Sequence, residues 1–122
     1  MVIEDVKSRL GQLGYTPEAA DDPFIQFVVD KITNEIKAEC NVEAVPEEME
    51  QTAIDMAVAE FLLAKKNTGQ DIGIDVSAVK AITEGDTSVQ FGASADGQVN
   101  GLLDYFLAKG RSKYASFRRV KW

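Results

Sequence analysis

The chain has 122 residues, of which 45% are hydrophobic and 27% charged, with a formal net charge of −7. These values predict one ordinary soluble globular domain that needs neither metal nor disulfide to build its core. It has no histidine, which excludes any catalytic group that requires one. Its single cysteine, Cys40, excludes an internal disulfide and a thiolate zinc site. No long apolar run is present, so we expect neither a signal peptide nor a membrane span.

The first half of the chain predicts two helices. The first has an apolar stripe at helical spacing and a stop at Gly14, and the stripe consists of Ile3, Val6, Leu10 and Leu13. The second begins with Asp22 as N-cap and Pro23 at the first helical position, and Asn41 can end it. Its predicted inner face contains Phe24, Phe27, Val28, Ile32, Glu35 and Ile36.

A third helix is predicted to begin near Pro46 and to stop before Gly69. Its apolar face is wide, which favours a position at the centre of a bundle, and comprises Met49, Ala53, Ile54, Met56, Ala57, Val58, Phe61, Leu62 and Ala64. The glutamates of its first turn (Glu47, Glu48 and Glu50) are expected to complement the helix dipole rather than to bind metal. Cys40 is expected to be a small apolar residue rather than a nucleophile.

Helical periodicity disappears after Gly69. Alternating β-type residues flank Glu84-Gly85-Asp86 and predict a β-hairpin at about residues 78–91. The glycine-containing stretch from 92 to 101 is predicted to be a long mobile loop. The fold class is therefore mainly α: a small bundle of about four helices with one inserted hairpin.

A short last helix is predicted around Leu102, Leu103, Phe106 and Leu107, with Gly110 as its possible end. All 20 acidic residues lie at or before Asp104, whereas the last 14 residues contain six of the 13 basic ones. We therefore divide the chain into a bundle domain (1–108) and a basic, aromatic docking segment (109–122). The candidate partner-binding residues of that segment are Lys109, Arg111, Lys113, Phe117, Arg118, Arg119, Lys121 and Trp122.

No phosphate-binding glycine loop or calcium loop is present, so the sequence favours a protein that is not an enzyme and has no cofactor and no bound metal. A lone hairpin is barely stable in water. Its edge is thus a second candidate contact surface, and the residues of this edge are Glu84, Gly85, Asp86, Thr87, Ser88, Val89 and Gln90. Alternatively, Val89 and Phe91 cover Phe61 and Leu62 on the same chain; both arrangements can hold together.

The order of these elements resembles that of the head–tail connector (adaptor, head completion) proteins of tailed bacteriophages and prophages. The motifs that carry the resemblance are AVAEFLLA (57–64), the Gly-Asp turn with its strand (85–91), and the Leu-Leu helix with its aromatic-basic end (102–122). The stretch KGRSKYAS before FRRVKW departs from the family's pattern.

The resemblance implies a structural virion protein of the neck, assembled in the bacterial host cytoplasm. Such a subunit is a monomer or weak oligomer alone and forms a ring of about a dozen copies on the particle, through heterologous contacts between neighbours. Its partners would be the portal protein, reached by the C-terminal segment, and the next neck or tail-completion protein. DNA would pass through the ring without specific binding, and no membrane would be involved.

Two alternatives remain at the level of sequence. One is a small helical adaptor that binds protein partners outside a virion. The other is a nucleic-acid-binding protein whose basic, aromatic tail stacks on bases and contacts phosphates.

Overall fold

A computed structural model of the chain describes residues 1–68 and 95–118, with side chains described for 1–68 and 101–118. These residues form four helices of ten residues or more and one short helical turn: α1 (Ile3–Gln12), α2 (Asp22–Cys40), α3 (Glu50–Asn67), α4 (Ala95–Ser112) and α5 (Tyr114–Phe117). Single 3-10 turns at Ala19–Asp21 and Glu47–Met49 precede α2 and α3. The predicted mainly helical bundle is confirmed, whereas the hairpin predicted at about 78–91 lies outside the described residues.

Helix α3 is the centre of the bundle and packs against α1, α2 and α4. Its apolar residues are buried around most of its circumference: Ala53, Ile54, Met56, Ala57, Val58, Ala59, Phe61 and Leu62. This set confirms the wide apolar face predicted from the sequence. Because alanine is small, the partner helices can approach the α3 backbone closely.

Contacts along α3 fix the direction of its neighbours. The N-terminal amine of Met1 pairs with Glu50, and Arg9 pairs with Asp55, so α1 runs parallel to α3. Gly110 lies against Met56, and the Lys113 ammonium donates to the hydroxyl of Thr52, so α4 runs antiparallel to α3. The α2–α3 loop, Met1 and α5 consequently share one end of the bundle, which we call the loop end.

The inner face of α2 differs from the prediction at Phe27, whose side chain is 61% exposed. Ile25 and Val29 are buried instead, which rotates the core-facing side of the helix away from Phe27. Phe24 lies at the edge of that face, with its ring 5.3 Å from the ring of Phe61. The apolar side of α2 is broad enough to fit more than one rotation, and the packing against α3 selects one of them.

Helix α4 begins at Ala95, so most of the predicted mobile loop at 92–101 is helical, and the prediction is wrong there. A glycine in a helix costs only about 1 kcal/mol relative to alanine. Burial of Leu102, Leu103 and Phe106 further along α4 offsets that cost. Tertiary packing therefore overrides the low helix propensity of this segment.

Gly110 does not end α4, which continues to Ser112. A Cβ at this position would collide with the side chain of Met56 on α3, lying only 2.6 Å from its Cγ. Met56 is fully buried, so its side chain would have to repack within the core to accommodate this Cβ. Gly110 is thus required by the close approach of the two helices rather than by a helix stop.

Asp21 fastens the connection between α1 and α2 to the C-terminal end of α3. Its carboxylate, 6% exposed, pairs with the Lys65 ammonium at 2.6 Å and accepts hydrogen bonds from the Tyr15 hydroxyl and the Glu18 backbone N–H. Asp21 is also the N-cap residue of α2, one position before the predicted Asp22. Burial alone would raise the pKa of Asp21, but these bonds to its charged form hold the pKa below the ordinary 3.8.

We predict opposite effects for alanine at two helical glycines. Gly110→Ala should destabilise the fold by about 1–3 kcal/mol because it overpacks the α3–α4 contact. The matched substitution Gly11→Ala, where nothing lies within 4 Å of the new methyl, should stabilise by up to about 1 kcal/mol. Urea unfolding followed by circular dichroism measures both; equal effects would contradict the close-packing assignment. Adding Met56→Ala to Gly110→Ala should cost less than the sum of the single changes.

Asp21→Asn should destabilise the fold by about 2 kcal/mol at neutral pH because the bonds to a buried carboxylate are lost. A carboxyl group whose folded pKa is lowered stabilises above its unfolded pKa, and that contribution disappears as pH falls through the folded value. The difference between wild type and variant should therefore shrink below pH 3.8. Asp30→Asn, at an exposed carboxylate, is the control and should change stability by less than about 0.5 kcal/mol. An Asp21→Asn effect that is constant from neutral to strongly acidic pH would refute this assignment.

Candidate functional site

The first four residues of the predicted docking segment continue helix α4. Helix α4 crosses the predicted boundary at 108/109, so Lys109 and Arg111 lie on α4. Lys113 is the single residue between α4 and α5, Phe117 ends α5, and Arg118 follows it. The remaining candidates, Arg119, Lys121 and Trp122, and all seven hairpin-edge residues from Glu84 to Gln90 lie outside the described residues.

Tyr114 anchors this segment to α2. Its ring is buried, and its hydroxyl donates a short hydrogen bond to the carboxylate of Glu35. The thiol of Cys40 donates to the Tyr114 carbonyl with an S···O distance of 3.7 Å. Burial, followed by the adjacent Glu35 carboxylate, raises the pKa of Tyr114 well above 10.0, so its hydroxyl stays protonated and remains a donor.

Arg111 joins three helices through two carboxylates. Its guanidinium lies 3.3 Å from a carboxylate oxygen of Glu35 on α2 and 3.5 Å from one of Glu60 on α3. Lys31 pairs with the same Glu60 at 3.1 Å. The hydrogen bond to Glu35 raises the pKa of Arg111 although partial burial opposes that shift. Arg111 is thus engaged within its own chain rather than available to a partner.

Arg118 binds the C-terminal end of α2. Its Nε donates to the backbone carbonyl of Glu39 at 3.0 Å, and its terminal nitrogen lies 3.7 Å from the Glu39 carboxylate. Phe117, the residue before it, is partly buried against the core. Arg118 is therefore held at the loop end of the bundle.

Lys109 and Lys113 differ from the two arginines because neither forms an ion pair with any described residue. Lys113 donates to the Thr52 hydroxyl at 3.1 Å, and the Lys109 ammonium lies 5.4 Å from the centroid of the Tyr105 ring. The two lysines are four residues apart, which places them on the same side of α4 and its C-terminal turn.

The nearest carboxylate to these lysines already has a partner. Asp55 of α3 accepts from the Arg9 guanidinium at 2.7 Å, and both side chains are largely shielded from solvent. Burial raises the pKa of Asp55, an effect that the charges of Arg9, Lys109 and Lys113 oppose. Three cations thus surround one carboxylate in the seam between α1 and α4. We call Arg9, Lys109 and Lys113 the basic seam.

The α2–α3 loop carries the opposite charge. Glu43, Glu47 and Glu48 are exposed, and none forms an ion pair within the described ranges 1–68 and 95–118. The loop encloses a recess of about 610 Å³ lined by residues 41–48. Val42, Val45 and Pro46, which are half-buried, also contribute to its lining.

The remaining candidate chemistry is sparse. Cys40 is fully buried, as its prediction as a small apolar residue requires, and burial raises the pKa of its thiol. In the part of the chain that the structure describes, no three acidic or cysteine side chains are grouped as metal ligands would be. None of the described helices is long and apolar enough to cross a membrane.

Sequence reasoning missed the residues that pair with the C-terminal segment, and it also missed the pair formed by Arg9 and Asp55. Glu35 was assigned to a helix face, with no sign that it accepts from Tyr114 and Arg111, which lie 79 and 76 residues away in the chain. Arg9 and Asp55 are separated by 46 residues, and nothing in either local pattern signals their contact.

Comparisons with known proteins identify no relative. No family model matches the sequence, and neither the curated proteins nor the solved structures contain a match.

We predict that Tyr114→Phe destabilises the fold by about 1–2 kcal/mol because it removes a hydrogen bond to a charged acceptor. Amide hydrogen exchange at residues 114–118 should accelerate more than exchange in the middle of α3. A tyrosine whose folded pKa is raised stabilises below its unfolded pKa of 10.0, and this contribution is lost as pH rises through the folded value. The difference in stability should therefore be constant from neutral pH to about pH 10.

The control is Tyr15→Phe, which removes a hydroxyl bonded to Asp21 far from α5. It should not accelerate exchange at residues 114–118. Unchanged exchange at these amides in Tyr114→Phe would show that the Glu35 contact does not hold the segment.

Proposed function

We propose that this chain is a structural subunit of the head–tail connector of a tailed bacteriophage or prophage. In this role it forms a ring between the portal protein and the tail, and DNA passes through the ring. The fold supports this proposal, since the resemblance implies a small helical bundle and the described residues form one.

The observation that carries the proposal is the attachment of residues 114–118 to the bundle. Tyr114 and Arg118 bind α2 at the loop end. Arg119, Lys121 and Trp122 follow this support in the sequence, and residues of these types suit docking on a larger protein such as the portal. Because the support is already ordered, docking would cost little conformational entropy in residues 114–118.

The pairing within the chain narrows the set of docking residues. Arg111 and Arg118 are bound to carboxylates of α2 and α3, so their role is to hold the segment. Arg119, Lys121 and Trp122 stay candidates for portal contact, and Lys109 and Lys113 stay candidates for contact with a neighbouring copy.

The same pairing weighs against the nucleic-acid-binding alternative. A phosphate backbone is attracted in proportion to the cations that can neutralise it. Glu35, Glu60 and Glu39 lie beside two of the cations of the basic tail and would repel phosphates there. The net charge of −7 acts in the same direction at longer range.

The first test is the location of the gene, which should lie beside portal and capsid genes. The decisive test is deletion of the gene from the phage or prophage that encodes it. DNA-filled heads without tails should accumulate, as electron microscopy of the lysate would reveal. Normal tailed particles from the deletion strain would refute the proposed function.

Arg119→Glu combined with Lys121→Glu should abolish complementation of that deletion. The melting temperature should remain close to wild type, because charges that serve a partner contribute little to the fold. Lys37→Glu, a charge reversal on α2, is the control and should complement normally. A large fall in melting temperature in the double variant would instead show that these residues stabilise their own bundle.

A further inference from the structure

Lys109 and Lys113 form a pair of like charges that the described chain does not neutralise. Like charges four residues apart, at the end of α4 and in the turn that follows it, repel each other. Asp55 cannot pair with them directly, because its carboxylate is occupied by Arg9 at 2.7 Å. An anionic partner would relieve this repulsion.

The two lysines remain accessible to a partner, although the Lys113 ammonium donates to Thr52 and the Lys109 ammonium lies over the Tyr105 ring. Lys109 is exposed and Lys113 half-exposed, and neither forms an ion pair with any of residues 1–68 or 101–118. Arg9, by contrast, is fully engaged: it bonds to Asp55 and Gln12, and its guanidinium lies 5.6 Å from the centroid of the Phe106 ring. Arg9 therefore contributes a fixed positive field, while the lysines supply the reaching groups.

The α2–α3 loop presents the complementary surface. It forms a recess, and Glu43, Glu47 and Glu48 on its wall are exposed and make no ion pair with the described residues. The recess of about 610 Å³ is large enough to admit a lysine side chain. Its apolar lining from Val42, Val45 and Pro46 would contact the aliphatic part of that side chain.

Lys113 and the recess both lie near the loop end, but the two surfaces are not paired within one copy, because neither lysine forms an ion pair with Glu43, Glu47 or Glu48. The basic seam lies between α1 and α4, whereas the recess lies in the connection from α2 to α3. Every copy of the chain carries both, so a contact between them is heterologous and can propagate from copy to copy until a ring closes.

We propose that Lys109 and Lys113 of one copy dock in the acidic α2–α3 recess of the next copy. This inference rests on the proposed function, in which copies of the chain associate into a ring, and it names the residues that make the contact between copies. A nucleic acid is the competing occupant of the lysine pair, but it would have to approach a chain with an overall charge of −7.

The test uses two charge-reversed variants of the full chain. One carries Lys109→Glu with Lys113→Glu, and the other carries Glu43→Lys with Glu47→Lys. In each variant alone, equal charges face each other across every contact. In an equimolar mixture, alternating copies bring opposite charges together at every contact. We expect each variant alone to fail to complement the gene deletion and co-expression of both to restore tailed particles.

Direct contact is measured on the purified protein with a carbodiimide, which links an amine to a carboxylate only where the two touch. A mixture of isotopically light and heavy wild-type chains should give mixed-isotope links from Lys109 or Lys113 to Glu43, Glu47 or Glu48. Glu43→Lys with Glu47→Lys keeps both lysines and Glu48, and this variant alone should reduce the mixed-isotope links to Glu48 at least about tenfold, equivalent to about 1.4 kcal/mol. Links confined to one isotope would show that the contact is made within a single chain and would overturn the inference.

The controls separate the possible failures. Lys37→Glu with Lys66→Glu makes the same change of charge away from the seam and should leave assembly intact. Tailed particles from each reversed variant alone, or none from the pair although each variant folds, overturn the inference but leave the proposed function standing. Salt-sensitive DNA binding that disappears in the lysine variant, with self-association unchanged, assigns the lysines to nucleic acid instead. Normal tailed particles from the gene deletion overturn the proposed function itself.

Discussion

Burial of α3 on nearly all sides is the constraint on which the rest of the structure depends. Helices α1, α2 and α4 together cover α3, and each must approach it closely enough to exclude water from its alanine-rich surface. On the α4 side this approach is so close that Gly110 meets the side chain of Met56, which would have to shift to accommodate any larger residue. The position of α4 along α3 then determines where Lys113 and Tyr114 fall. The course of the C-terminal segment is therefore a consequence of core packing.

Charge in this protein is segregated along the chain but partly paired in space. The acidic residues lie at or before Asp104 and the basic ones are concentrated after it, yet Arg111 and Arg118 bind carboxylates of their own chain. Such pairs at the surface contribute little to stability individually. Their effect is to orient the segment and to reduce the set of charges that a partner can use. What remains in the described residues is a lysine pair in the basic seam and an acidic recess at the loop end.

Polar contacts at the two ends of the bundle have different structural roles. At one end Asp21 is a buried carboxylate with three donors, and it fixes the connection from α1 to α2. At the loop end, Tyr114 and Arg118 hold a single helical turn on α2, and the rings of Tyr114 and Phe117 pack against the core. The first set of contacts thus joins elements of the bundle to one another, whereas the second attaches the turn of α5 to the bundle.

The sequence by itself determined the helical class, the central position of α3 and several helix ends. Apolar spacing in α1 and α3 is local and unambiguous, and Gly14 and Asn41 have the positive φ angles that end α1 and α2. Only the tertiary structure decided that Phe27 points outward, that residues 95–101 are helical and that Gly110 is a packing residue. It also decided which of the predicted docking residues are already paired. Arg111 and Arg118 form ion pairs and Lys109 and Lys113 do not, and this difference depends on carboxylates that lie far away in the chain. The physical reason is the range of the interactions. Periodicity and capping act within a few residues, whereas the rotation of a helix and the partner of a charge depend on groups that only folding brings together.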